Sequence, residues 1–226
     1  MRFIIKEQPY EKLLAAGMWR YERDGRPTGA VEHWRLTEAA SGFRFLRVDL
    51  DARAADSGHT YLYHALLNED GRIERLKYRF WGNGLRVSGD VVLEVDSVTA
   101  SREVNGVSES QVLAMPAGYG FWFPSTEGLG LAAQLPGGIP LPAVTLNSDV
   151  TGPHALAVQQ VELTRYMVIT DFVEEDVAGR KVEVSPRRVA WNGHERMVYL
   201  CREDGRPVKM VRADRLTAVS TRYINY

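Results

Sequence analysis

Arg23-Asp24-Gly25-Arg26-Pro27, Glu69-Asp70-Gly71-Arg72 and Glu203-Asp204-Gly205-Arg206-Pro207 are three near-copies of one turn. Asp-Gly suits the positive φ angles of a tight hairpin loop, because glycine has no Cβ to clash there. Strand-like residues flank each copy. Asn83-Gly84, Asn105-Gly106, Ala178-Gly179 and Asn192-Gly193 add turns at hairpin spacing. Turns recurring every ~10–20 residues between alternating apolar runs are the signature of an antiparallel meander. No fixed period separates the three copies, so they are convergent hairpin chemistry rather than a repeat array.

Working outward from these turns, strands are expected over Met18–Glu22, Ala30–Leu36, Phe43–Leu50, Thr60–Leu67, Arg72–Phe80, Leu85–Val95, Ser97–Val104 and Val107–Leu113. A second set follows over Leu156–Thr170, Lys181–Val184, Val189–Trp191, Arg196–Arg202, Pro207–Arg212 and Leu216–Tyr223. Within Phe43–Leu50 one face carries Arg44, Leu46, Val48 and Leu50, and the other Phe43, Phe45, Arg47 and Asp49. Large apolar groups on both faces imply a sheet covered on its second face for part of its length. Helix signals are few. Tyr10–Ala16 after Pro9, ended by Gly17, reads as about two turns. Ser125–Gln134 has Ser125 and Thr126 as caps, weakened by Gly128 and Gly130.

Between Glu103 and Thr164 there is no lysine or arginine, although basic residues are spread through the rest of the chain. The gap holds Met115-Pro116-Ala117-Gly118-Tyr119-Gly120-Phe121-Trp122-Phe123-Pro124 and the nearly uncharged run Leu129 to Pro142. A solvated loop of that length would carry lysines, since apolar groups left in water gain nothing from burial. The segment Met115–Pro142 is therefore packed against the rest of the domain, another subunit or an apolar ligand. Five carboxylates give the gap a charge of −5 within a chain whose net charge is −1. That asymmetry favours a neutral, apolar ligand over an anionic one and leaves no global field for nucleic acid.

The aromatic residues are the candidate site. Tyr119, Phe121, Trp122, Phe123, Trp81 and Trp34 either plug an open end of a barrel or line an apolar cavity. Trp81 and Trp191 end strands directly before turns, where a ring is buried and its N–H finds a polar partner. Other chemistry is thin. His59 and His64 fall on opposite faces of a strand, and no His-x-His, His-Glu-x-x-His or cysteine pair exists, so no metal site is expected. His194 reads as an exposed turn residue. Asp49 with Asp51, and Asp90 with Glu94 and Asp96, read as the solvated face of a sheet opposite basic residues, as do Arg72, Arg75, Lys77 and Arg79. No nucleophile elbow or phosphate loop is present, so no residue is given a catalytic role and no cofactor is expected. Cys201, the single cysteine, reads as a buried thiol, with no disulfide possible within the chain. There is no signal-peptide core and no apolar run long enough to span a bilayer, so a cytoplasmic location is expected.

The opening Trp19-Arg20-Tyr21-Glu22-Arg23-Asp24-Gly25-Arg26-Pro27-Thr28-Gly29 resembles the first hairpin of bacterial half-barrel or spiral β-roll proteins, a group that includes lipoprotein-carrier-like and glycolipid-binding families. The order of parts is also similar: a meander, a Pro/Gly-rich apolar segment, then more long strands. The resemblance implies a strongly curved antiparallel sheet around an apolar groove, and it carries over no individual functional residue. The expectation is one all-β domain over residues 1–226, a curved antiparallel half-barrel or β-roll with at most one or two short helices. The expected function is to bind a lipid-like or apolar small molecule. The alternatives are an enzyme using the same groove and an assembly module docking its apolar segment on a partner. The sequence does not fix the oligomeric state.

Overall fold

The computed structural model describes residues 1–135, 140–168 and 173–225. The first run of strands is β1 (Lys12–Arg23), β2 (Arg26–Glu38), β3 (Arg44–Ala52), β4 (His59–Leu67), β5 (Ile73–Gly82), β6 (Leu85–Leu93), β7 (Ser97–Val104) and β8 (Val107–Ala114). Then come β9 (Gly120–Phe121), the helix α1 (Thr126–Gln134), β10 (Leu141–Leu146), β11 (Val158–Met167) and β12 (Val173–Val177). The chain ends with β13 (Arg180–Trp191), β14 (His194–Cys201), β15 (Pro207–Arg212) and β16 (Leu216–Asn225). They form one large, curved sheet that does not close. Its order runs β8 back to β1, then β16, β15, β14, β13, β11, β10 and β9, with β12 on β13. Every described pairing is antiparallel except the short β9–β10 contact. No helix among the described residues is long and apolar enough to cross a membrane.

The turns behave as their chemistry dictates. Asp24 and Gly25 both have positive φ, 50° and 74°, and Arg23 pairs directly with Arg26 across them. Asp70-Gly71, Asn105-Gly106 and Asp204-Gly205 likewise lie between antiparallel neighbours. Tyr10–Ala16 is not a helix: β1 begins at Lys12 and runs through Gly17, with β2 on one side and β16 on the other. Gly17 lies under the Trp34 indole, whose Nε1 is 2.5 Å from where a Cβ would stand. Pairing on both edges overrides the helix preference of Leu13-Leu14-Ala15-Ala16. Ser125–Gln134 does form α1, with the Ser125 hydroxyl accepting from the Gly128 N–H at 2.9 Å.

The concave face wraps around residues 115–163. Tyr63 packs at a tilt on Phe123 with ring centres 4.7 Å apart, and its hydroxyl donates to the Pro124 carbonyl. The Tyr78 hydroxyl donates to the Leu156 carbonyl at 2.8 Å. Buried Arg102 holds the carbonyls of Pro153 and Ala155. On the far side Trp122 meets Trp191 edge-on at 5.3 Å, and Gly130 packs on Pro207. Residues 115–135 and 147–157 of the Lys/Arg-free stretch thus fill the space between the two flanks, while β8, β10 and β11 are strands of the sheet itself; residues 136–139 of Met115–Pro142 lie outside the described set.

Part of the convex face is covered as well, by residues 1–11. Arg47 and Glu11 form an ion pair at 2.8 Å with both side chains about 2% exposed, and Arg47 also donates to the Ile5 carbonyl. Asp49 is not solvated: it accepts from the backbone N–H and the guanidinium of Arg2. Asp90 keeps the expected surface pattern, between Arg75 and Lys77 on β5. Cys201 is buried beside Val177, Val184 and Val208 in a small second cluster.

Candidate functional site

In a meander, alternate turns lie at the same end of the sheet. The turns at 24–25, 53–58, 83–84, 192–193 and 213–215 therefore share one end, and a cleft of about 1200 Å³ opens there. This lies a little above the ~300–1,000 Å³ usual for small-molecule sites. Its floor, the deeper part of the lining, is mostly apolar, with Trp122, Leu129, Leu146, Trp191, Met210 and Leu216, joined by buried Ser125, Thr126 and Thr145. Tyr61 and His59 form one side, their rings in edge contact at 5.0 Å. Four arginines, Arg23, Arg26, Arg196 and Arg212, stand at the mouth.

Each arises from the local structure. Arg23 and Arg26 flank the β1–β2 turn, and Arg196 and Arg212 face one another on β14 and β15. Trp191 ends β13 and pairs with His194 across the Asn192-Gly193 turn, which brings the two rings to 5.5 Å. His194 thus lines the cleft, and burial followed by the charges of Arg196 and Arg212 lowers its pKa. Its imidazole is neutral at pH 7.

Behind the cleft wall lies a buried carboxylate pair. Glu32 of β2 accepts from the Tyr21 hydroxyl at 2.6 Å, and from the backbone N–H groups of Thr126 and Glu127 at 3.0 and 3.1 Å. These N–H groups are the unsatisfied donors of the first turn of α1, so Glu32 anchors the helix to the sheet and sits in its favourable field. Burial raises the Glu32 pKa, and the three donors pull it back. Glu127 accepts from Trp19 Nε1 at 2.7 Å. Burial, then the Glu32 charge, pushes its pKa up to about 8. With three donors aimed at it against one, Glu32 is the member of the pair whose charge the site favours, and Glu127 is the one pushed toward its neutral form. Tyr21 and Thr126 line the cleft; the two acids do not.

The sign of the resulting pH effect is fixed. In the unfolded chain Glu127 loses its proton near 4.5, in the folded chain near 8. Between these values the folded state holds more protons, so its stability falls as pH rises through this window. In Glu127→Gln the fall is expected to flatten, read as urea midpoints across that range. An unchanged slope would mean that Glu127 titrates normally.

The aromatic candidates separate in space. Trp122 lines the cleft. Phe123 is packed on Tyr63, and Phe121 lies in β9 beside Val144. Tyr119 is at the opposite end of the sheet, its hydroxyl donating to the carbonyls of Glu94 and Ser97. Trp34 is on the concave face over Gly17, 6.0 Å from the Tyr223 ring. Trp81 follows buried Phe80 and so projects from the convex face. Trp191, named with Trp81 as a strand-end tryptophan, lines the cleft; the mouth arginines, Tyr21 and the Glu32–Glu127 pair were not among the candidates. The signal for the first cleft-end residues was the parity of successive turns. No group of three metal-ligating side chains occurs among the described residues. No protein-family model matches the chain, and no curated protein matches it in sequence.

Proposed function

We propose that the curved sheet works as a half-barrel and binds an apolar small molecule in the cleft at its open end. The observation that carries this reading is the mostly apolar floor: two tryptophans and four aliphatic side chains under a roomy, open mouth. Apolar clefts with a few polar groups to orient the ligand are the usual form of a small-molecule site. Phe121, Trp122 and Phe123 are buried, which counts against an assembly module docking through them. Glu32 and Glu127 stand behind Tyr21 and Thr126, so no acid–base chemistry on a ligand is assigned to them.

The test uses N-phenylnaphthylamine, a neutral fluorescent probe. Bound in the cleft it should accept energy from Trp122 and Trp191, with saturable enhancement. Ser57→Phe and Ser148→Phe place rings across the mouth, both at exposed positions of the cleft lining. The pair of substitutions is expected to weaken the probe by about tenfold or more while the melting temperature stays put. A wild type that gives no enhancement rejects the reading, as does a blocked variant that binds equally well.

A further inference from the structure

The cleft's mouth carries a charge arrangement that the fold itself does not need. Arg23 is directly opposite Arg26 across β1–β2, and Arg196 is directly opposite Arg212 across β14–β15. Like charges in directly opposed positions are destabilising. One carboxylate serves both pairs: Asp214 takes Arg23 at 3.2 Å and Arg212 at 3.0 and 3.1 Å. The acids lining the mouth are Asp24, which is held by Arg215 at 3.3 Å, and exposed Asp56. Arg26 and Arg196 are left without a carboxylate among the described residues. Arg196 donates only to the carbonyl of its neighbour Glu195, and its guanidinium lies 5.5 Å from the Trp191 ring.

Arg196 is half-buried as well as unpaired. Burial, then Arg212, disfavours its charge, and the nearby Asp214 offsets this only in part. A half-buried guanidinium beside a second guanidinium, at the rim of an apolar floor, has free donors in a fork that matches a carboxylate or phosphate. We infer that the cleft takes an amphiphile: an apolar body on the Trp122–Trp191 floor and one anionic end group at Arg196, with Arg26, across three intervening strands on the same rim, adding to the positive field. This rests on the cleft being a binding site and adds the chemical class of its ligand. Charge counted along the chain favoured a neutral ligand; the fold instead gathers four basic side chains from separate strands at one mouth.

The experiment compares dodecanol, laurate and dodecyl phosphate, which share one chain and differ at the end group, by displacement of N-phenylnaphthylamine. Either anion is expected to bind at least about tenfold tighter than dodecanol, and the tighter of the two identifies the head group. Raising the salt concentration should shrink that preference. Arg196→Gln and, separately, Arg26→Gln should each reduce it. Arg26 is exposed at the start of β2, so its substitution leaves the core alone. Equal binding of all three ligands overturns the anionic assignment and leaves the apolar cleft standing. Binding of none overturns both. A preference for the anions that survives both substitutions places the head group elsewhere and rejects the arginines.

Discussion

Arg47→Ala is expected to destabilise the protein by about 3–5 kcal/mol, because it strands a buried carboxylate. Arg47 and Glu11 are both about 2% exposed, and Arg47 makes two 2.8 Å bonds to the Glu11 carboxylate. Burial alone would raise the Glu11 pKa. The Arg47 hydrogen bonds, with those of Thr37 and Gln8, outweigh it and hold the carboxyl below its ordinary range. The pair's contribution is therefore present above pH 4.5 and lost as pH falls through the lowered value. Urea unfolding at neutral pH measures the loss. Glu11→Leu combined with Arg47→Leu should recover much of it, since an apolar pair leaves no charge to desolvate. Arg47 also donates to Ile5, so the single variant should open residues 1–11 to protease. A single variant within 1 kcal/mol of wild type would mean that water reaches this pair.

Glu32→Ala is the second large effect, about 3–5 kcal/mol, from two buried N–H groups left unpaired and a Tyr21 hydroxyl left with Thr126 Oγ1 alone. It removes the acceptor for the Tyr21 hydroxyl and for two N–H groups of α1, all buried against the sheet. The distinguishing readout is Glu127. Without the Glu32 charge beside it, its pKa should fall, and the pH dependence of stability between 4.5 and about 8 should weaken with it. Loss of stability with an unchanged pH profile would mean that Glu32 is protonated in the wild type. Glu32→Gln tests the same point from the other side, since it keeps the volume and part of the hydrogen bonding while removing the charge.

The strands were legible because a two-residue loop announces both of its neighbours. Errors fell where tertiary neighbours decide. Pro186 split the expected Lys181–Val184 and Val189–Trp191 strands, yet β13 runs through it. Pro186 sits where β13 changes partner, from β12 at Val184 to β11 at Arg187, so its missing N–H costs little there. β10 was overlooked because Pro142 lies in it; β9 pairs only with Ala143 and Val144, so nothing needs that N–H. β12 was overlooked because Glu174-Glu175-Asp176 reads as a loop, although a short charged strand is a usual way to protect an edge. The expected Leu156–Thr170 strand appears as β11, and residues 169 and 170 lie outside the described set.

The cleft was harder to see than the strands. Turn parity places 24–25, 53–58 and 83–84 at one end, and that much is countable. The irregular stretch from Met115 to Ala157 breaks the count, so nothing in the sequence says that Trp191, Arg196 and Arg212 face the same opening as Arg26. The aromatic cluster at Tyr119–Phe123 was conspicuous for a different reason: four neighbouring rings mark a segment that crosses the inside of the sheet, and only Trp122 of them reaches the cleft.

The pairing of β1 with β16 joins residues from the two ends of the chain: the Thr221 hydroxyl reaches the Met18 carbonyl, 203 positions away. The eight-strand meander on one flank needs only sequence-local contacts and can assemble as it leaves the ribosome. The seam cannot, because β16 is translated long after β1. Until then β1 presents a bare edge, open to pairing with another chain. Closing so long a loop also favours slow folding.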